Sequence, residues 1–323
     1  MIEVIAGIDI GGTKIAIALE KLNGERIAVR RLPTGVENGP YSIIETVLRT
    51  IDEMLAETGA RLVSIGICCP SPLDVENGLI MSPSNLMDWE NFPIVKLFQD
   101  RFGVAVVLEN DANAAALGEH VYGAGSGYRN IVYVTVSTGI GGGIIINGEI
   151  YHGVNTAAGE MGHTIVQPDG TRCNCGSVGC LETICSGTHI ARRTRERLAF
   201  GEPSLINDLA ESGEVTAEMI VEAVRQKDRV AVEIWEETCH FLAIGIGNII
   251  TLLAPEAVVI GGGIASAGGL LFMPLRRLVP QFVSMLPAEK INIMPAELGS
   301  ESGVCGALVL AKRAYSKTYQ YAA

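Results

Sequence analysis

Residues 159–182 read GEMGHTIVQPDGTRCNCGSVGCLE, placing His163, Cys173, Cys175 and Cys180 close together in the chain. One imidazole and three thiols form a closed four-ligand set, the number and softness that a structural Zn²⁺ wants. Gly176 and Gly179 allow the short stretch between Cys175 and Cys180 to fold back so that the thiolates converge. In a chain with 8 Cys and 5 His, chance seldom places three cysteines and a histidine so near one another. The alternative, thiols packed as small apolar side chains, explains the clustering less well. The Cys-x-Cys-Gly spacing is not the Cys-x-x-Cys pair of a zinc ribbon. Glu160 precedes the histidine and Glu182 follows the last cysteine. A metal here would hold these two carboxylates near each other, as in a site built around the cluster.

Three glycine turns carry a second kind of chemistry. Asp9-Ile10-Gly11-Gly12-Thr13-Lys14 lies where an apolar run turns, and its glycines let backbone N–H groups approach an anion. Thr13 and Lys14 add a hydroxyl and a charge, and Asp9 could hold Mg²⁺ through water. Taken alone, a Gly-Gly turn is more often an ordinary hairpin tip. Ser137-Thr138-Gly139-Ile140-Gly141-Gly142-Gly143 repeats the pattern, and two facing tips could clamp one polyphosphate. Gly261-Gly262-Gly263 ends a buried strand and suits close approach to a nucleotide. Neither the GxGxxG fingerprint of a dinucleotide fold nor the Walker pattern is present.

Glu109-Asn110-Asp111-Ala112-Asn113 falls at a strand-to-helix junction. Either Asn110 or Asp111 is placed to cap the helix. The functional reading makes Asp111 a general base that takes a proton from a hydroxyl attacking phosphorus. Asn85, in a loop before Trp89, is an amide able to recognise a hydroxyl, although a lone loop Asn is usually a turn residue.

These residues need positioning elements, and the pattern supplies them. Residues 4–19 and 131–147 share one plan: apolar strand, glycine-rich turn, apolar strand. Asn23-Gly24 and Asn147-Gly148 follow as hairpin signals. A helix is expected near 41–57, strands at 62–68 and 105–109, and an alanine-rich helix through 112–119. Further helices are expected over 182–200 and 216–253, then a buried strand at 257–260. Alternating strands and helices predict two related α/β lobes with sheets covered by helices. The chain of 323 residues suits two lobes better than one core. The division expected is 1–118 for the N-terminal lobe, joined by a C-terminal helix at about 305–323, and 119–304 for the lobe bearing the zinc knot.

Apolar residues make up 48% and charged residues 19%, which excludes disorder. A net charge of −12 offers no basic stripe for a nucleic-acid backbone. The opening MIEVIAGIDIGGTK lacks the basic start and long apolar core of a signal peptide. The most apolar segment, 241–254, is too short to span a bilayer. Adjacent and clustered cysteines fit reduced thiols and a metal better than a disulfide frame, so a cytoplasmic protein is expected.

With these motifs in order along nearly the whole chain, the sequence resembles the ROK family of sugar kinases and related repressors. The resemblance rests on Asp9 to Thr13, Glu109 to Asn113, Thr138 to Gly143, Gly159 to His163, Cys173 to Glu182 and Gly261 to Gly263. It implies the two-lobed actin/hexokinase (ribonuclease H-like) fold with an active-site cleft between lobes, and an ATP-dependent kinase, most like the glucokinase branch. It implies Asp111 as catalytic base and Asn85, Asn110, Asp111, Glu160, His163 and Glu182 as sugar contacts. It implies His163, Cys173, Cys175 and Cys180 as zinc ligands. Asp9, Gly11, Gly12, Thr13, Lys14, Thr138 and Gly139 would hold ATP with Mg²⁺, and Gly261, Gly262 and Gly263 would lie beside the adenosine. The partners implied are sugar and ATP, with a homodimer or higher homo-oligomer and neither nucleic acid nor membrane. Cys69-Pro70-Ser71-Pro72 departs from the Pro-Gly-Pro loop that many members carry near the sugar. Glucose is the expected acceptor, with N-acetylmannosamine, N-acetylglucosamine or a rarer hexose as alternatives. A sugar-sensing regulator of the same family would need a DNA-binding segment before Asp9, for which the eight residues there leave no room.

Overall fold

The computed structural model describes residues 1–320 except 84, 87 and 211–213. Ser84 of the loop before Trp89, and the last three residues of the helix expected to reach 323, lie outside the described residues. The chain divides into two compact units. The first comprises Met1–Ser126, Glu149–Ala158 and the segment from Ser300; the second comprises Gly127–Gly148 and Gly159–Gly299.

In the first unit, strands β1 (Ile2–Ile10), β2 (Lys14–Lys21) and β3 (Arg26–Pro33) form an antiparallel meander. Helix α1 (Pro40–Thr58) leads into β4 (Ala60–Cys69). A short hairpin of β5 (Leu73–Asp74) and β6 (Leu79–Ile80) and helix α2 (Ile94–Phe102) follow. Then come β7 (Ala105–Asn110) and helix α3 (Asp111–Tyr122). The sheet order is β3-β2-β1-β4-β7, with β1, β4 and β7 parallel.

The nearly unbroken apolar run of β1 is explained by burial on both faces. Val4, Ala6, Ile8 and Ile10 join the core that α1 covers through Ile44, Val47 and Ile51. Ile5 faces the other way, onto Val304 and Leu308 of the C-terminal helix (Ser302–Gln320). That helix lies so close that a Cβ on Gly66 would stand 1.9 Å from the Ala307 carbonyl oxygen. The same helix meets α3, where a Cβ on Gly306 would stand 1.8 Å from the Ala114 oxygen. Glycine at these positions lets the helix seat directly on sheet and helix backbone, which fixes where β1 and α3 present their polar ends.

In the second unit, β8 (Ile131–Val136) and β9 (Ile140–Ile146) form the second expected hairpin. Strand Ala257–Gly261 runs parallel to β8, and Ile293–Pro295 extends the sheet beyond it. Its helices are α4 (Glu182–Cys185), α5 (Gly187–Ala199), α6 (Ile206–Leu209), α7 (Ala217–Arg225), α8 (Arg229–Leu253) and α9 (Gly269–Leu278). The two long helices expected here are each interrupted. Ser186 breaks the first with extended backbone and caps α5, its hydroxyl accepting from the His189 N–H. Asp228 breaks the second, its carboxylate accepting from the Ala231 N–H as the N-cap of α8. Both are cap residues set inside a helical periodicity, and the cap wins locally because it satisfies donors that the new helix leaves open.

The hairpin signals also resolve. Asn147 and Gly148 both take positive φ, the pair of angles an Asn-Gly turn of type I′ requires. At Asn23-Gly24 only Gly24 does, and the loop closes through a Gly24 N–H to Lys21 carbonyl bond of 2.9 Å. Among the described residues, no helix is long and apolar enough to cross a membrane.

Candidate active site and metal cluster

The carboxyl ends of β1, β4 and β7 bring one group of polar residues together in the first unit. Register pairs Asp9 with Cys68 and Cys68 with Glu109, so the three stand in one row across the sheet. The Cys68 thiol donates to Asp9 Oδ1 at 3.5 Å and approaches the Gly303 carbonyl at 3.4 Å. A Cβ on Gly303 would lie 2.5 Å from Asp9 Oδ2, so the first turn of the C-terminal helix sits directly on that carboxylate. Burial pushes the Asp9 carboxyl up to about 6, the negative charge of Asp111 adding to the rise and the Cys68 thiol opposing it.

At the end of β7, Asn110 is the N-cap: its side-chain oxygen accepts from the Ala112 N–H at 2.9 Å and the Asn113 N–H at 3.1 Å. Asp111 therefore occupies the first helical position instead of the cap. Its Oδ1 accepts from the Ala112 N–H at 2.8 Å and from Asn110 Nδ2 at 3.0 Å. Asn110 Nδ2 also reaches the Ser71 hydroxyl at 2.9 Å, which ties the Cys69-Pro70-Ser71-Pro72 loop to the junction. Burial raises the Asp111 carboxyl above its ordinary value, and the Ala112 N–H and the Asn110 amide pull the other way. The Gly11 to Lys14 turn closes through a Gly11 N–H to Lys14 carbonyl bond of 2.9 Å, with Thr13 and Lys14 exposed. A Cβ on Gly12 would meet the Asn85 carbonyl oxygen at 2.9 Å, so Asn85 lies against this turn. Trp89 is buried and packs on Phe92 with ring centroids 5.0 Å apart, so it belongs to the core of the first unit.

In the second unit the tip between β8 and β9 meets the start of α5. The Gly187 N–H donates to the Ser137 carbonyl at 2.7 Å. Glu182 braces the tip from the other side: its Oε2 accepts from the Ile140 N–H at 2.8 Å and leaves no space for a Cβ at Gly139. Gly262 has φ 85°, and a Cβ there would stand 2.3 Å from the Val136 oxygen, so the third glycine turn is pressed onto the end of β8. Ser137, Thr138 and Gly263 line a cavity of about 350 Å³ together with Gly187, Arg195, Thr216 and Glu218. The N-termini of α5 and α7 both line it; the first α5 N–H groups are tied to the tip itself, Gly187 donating to the Ser137 carbonyl and Thr188 to the Thr138 carbonyl. Of these lining residues, the sequence reading singled out Thr138 and Gly263, with Ser137 as part of the tip. The α5 start was missed, although Ser186-Gly187 is legible as an N-cap signal, whereas α7 begins where the helix from 216 was expected.

The cysteine motif closes as spacing predicted. The ligand atoms of His163, Cys173, Cys175 and Cys180 all lie within 4.8 Å of one another. Cys175 and Cys180 sulfurs are 3.7 Å apart, and Cys173 Sγ is 3.6 Å from His163 Nδ1. Tetrahedral ligands at ordinary Zn–S and Zn–N lengths would be separated by about 3.8 Å and 3.6 Å respectively, so the donor set fits one ion. Gly176 and Gly179 take positive φ, and the closeness of the Gln167 carbonyl, 1.7 Å from a Cβ on Gly179, forbids any larger residue at 179. With Nδ1 turned to the cluster, His163 Nε2 faces Glu160 Oε2 at 4.0 Å. The segment carrying both packs on β9, where a Cβ on Gly162 would stand 2.2 Å from the Ile140 oxygen.

Comparison with known proteins agrees with this architecture. The ROK family model matches residues 5–314. The chain belongs to the ROK family, with the actin/hexokinase type of fold. A glucokinase from Thermotoga maritima is 37% identical over 309 residues, covering 95% of this chain and 97% of that protein. The structure of a ROK hexokinase from Thermus thermophilus superposes with a TM-score of 0.85 at 31% identity, covering 97% of this chain and 99% of that one. A ROK glucokinase from Streptomyces griseus, solved with glucose and AMPPNP, gives a TM-score of 0.77 at 32% identity over 96% of this chain and 99% of that one. A putative xylose repressor from a Caldicellulosiruptor species is 30% identical, covering 95% of this chain and 77% of that protein.

Proposed function

We propose that this chain is an ATP-dependent sugar kinase that phosphorylates glucose at its 6-hydroxyl. The observation that carries the reading is Asp111. Its carboxylate is fixed at a strand-to-helix junction, with Oδ1 held by a backbone N–H and the Asn110 amide. A carboxylate raised above its ordinary value by burial is a better proton acceptor than a solvated one. Asp111 takes the proton of the sugar hydroxyl as that oxygen bonds to the γ-phosphorus. The bond from the γ-phosphorus to the bridging oxygen breaks, and ADP leaves.

Asn85, Asn110, Glu160, His163 and Glu182 hold the sugar hydroxyls. Asp9, Gly11, Gly12, Thr13, Lys14, Thr138 and Gly139 attend the phosphates, with Gly261, Gly262 and Gly263 beside the adenosine. Asp9, a buried hard-oxygen group at the end of β1, would hold through water the Mg²⁺ that accompanies ATP, and that ion would supply charge to offset the phosphoryl oxygens. His163, Cys173, Cys175 and Cys180 hold a structural Zn²⁺, which is too fully ligated to activate a substrate. The chain residues around it act by holding His163 and its neighbouring carboxylates in place.

The test is an ATP-coupled assay with glucose on wild type and Asp111→Ala. Loss of a general base lowers kcat by about 10²-fold or more with sugar binding largely kept. Turnover by the variant within a few-fold of wild type sinks the role.

A further inference from the structure

The carboxylate next to the base is left unused by the kinase reading. The Glu109 side chain is only 3% exposed, yet both its oxygens are engaged. Oε1 accepts from the Asn110 N–H at 2.9 Å and from Asn113 Nδ2 at 3.0 Å. Oε2 meets His152 Nε2 at 2.7 Å. An ionised carboxylate only accepts, so His152 carries a proton on Nε2 and donates it. Two of the three donors belong to the junction itself, since Asn110 caps α3 and Asn113 lies in its first turn. The third comes from the segment Glu149–Ala158, which belongs to the same unit. That segment is held in a demanding conformation, with positive φ at Gly153, Asn155 and Thr156.

We propose that His152 is a positioning residue for the transfer step: by donating to Glu109 it fixes the β7–α3 junction that presents Asp111. The inference rests on the kinase reading of Asp111. A buried carboxylate stays put only while its charge is met by donors of good geometry. Without His152, Oε2 loses a charge-assisted bond, and Glu109 turns or takes up a proton to satisfy itself. Either response loosens the hold of Oε1 on the Asn110 N–H and on Asn113, and the helix start that aims Asp111 shifts with them. Small displacements of a reacting group are costly in rate.

His152 lines two cavities. One of about 220 Å³ is lined by Glu109 and His152 together with Glu149, Arg313 and Lys317. Another of about 520 Å³ has His152, Asp74, Glu76 and Asn77 in its wall. Removing the imidazole therefore leaves a space that a small molecule can enter.

The experiment compares wild type, His152→Ala and His152→Gln in the ATP-coupled sugar assay. His152→Ala is expected to lower kcat by about tenfold, since a misplacement of ~1 Å can cost up to about 10²-fold. The KM for ATP stays within about twofold, because the junction presents the base and the sugar contact Asn110 and not the phosphate-binding turns. Added imidazole restores most of the lost kcat, and His152→Gln, which keeps an N–H donor, remains near wild type. Unchanged kcat in His152→Ala overturns the proposal, as does a loss that neither imidazole nor His152→Gln relieves. Should His152→Ala fail to fold, His152→Met against His152→Gln carries the same contrast. Asp111→Ala in the same assay separates the two readings. An active Asp111→Ala removes the base itself, whereas an inactive one beside a fully active His152→Ala removes only the positioning role.

Discussion

At the scale of single residues, Asp9 shows function and stability pulling against each other. In the folded chain its carboxyl titrates near 6, against an ordinary value of 3.8, chiefly because it is buried. The folded state thus binds this proton more tightly than the unfolded chain does. The stability this gives is fully present below pH 3.8 and is lost as pH rises through about 6. Asp9→Asn is neutral throughout. Its Tm is therefore expected to gain on that of wild type between acid and neutral pH, by a few degrees. Activity is expected to fall, because the hard oxygen proposed for Mg²⁺ is gone. Melting curves for both proteins across that range check the sign. A Tm difference that does not move with pH removes the titration argument. The proposed site residues were named from motifs, but burial was not legible: nothing in Asp9-Ile10-Gly11 announces that Gly303, far along the chain, presses on its carboxylate. Glu109 was legible only as part of a motif, because its partner His152 lies in a segment without periodicity or a turn signal of its own.

Secondary-structure elements were read well where one period held and less well where a cap intervened. The two glycine-tipped hairpins, and the strand that ends in Gly261, Gly262 and Gly263, were expected from apolar runs broken by glycine, and all three formed. Helices α5 and α8 are capped by Ser186 and Asp228, short polar residues set within a helical pattern that continues on either side. The seating of the C-terminal helix was also hidden, because close packing onto a glycine is a property of two distant segments. Gly66→Ala tests that seating. Its Cβ would collide with the Ala307 carbonyl, which cannot rotate away as a side chain can. Overpacking of this kind costs about 1–3 kcal/mol or more, which corresponds to a Tm loss of roughly 3–10 °C. A melt within a degree of wild type would show that the helix is not so firmly seated. The loop from Cys173 to Cys180 is an element of another kind, for which ligation of the proposed zinc is expected to supply the order. Cys175→Ser is expected to abolish stoichiometric zinc in elemental analysis and to lower Tm and sugar affinity together. Active wild-type protein purified without zinc would refute the ligand set.

Across the whole molecule, family and fold are settled more firmly than the acceptor. Motif order along the chain was enough to place it in the ROK family, since each motif sits at a strand end or turn that the fold requires. Acceptor choice depends instead on the depth and lining of a pocket, to which residues distant in sequence contribute side-chain atoms, and no spacing rule reports that. Glucose is expected to give the best kcat/KM among common hexoses. His163 is held among the proposed zinc ligands and Asn110 on the capped junction, so their hydrogen-bonding atoms have little freedom to adapt. Rigid polar groups discriminate strongly against a sugar that lacks the matching hydroxyl, because the unmatched group is left without a partner. An N-acetyl group replaces a small donor with a bulky amide and needs space that rigid neighbours do not yield. Ser71 tests the limit of this argument, since its hydroxyl already engages Asn110 and ties the loop down. A panel of hexoses and N-acetylhexosamines, each assayed for kcat/KM with ATP, decides the matter. An N-acetyl sugar or another hexose that outperforms glucose by about tenfold, about 1.4 kcal/mol of transition-state discrimination, overturns the glucose assignment and leaves the kinase reading standing.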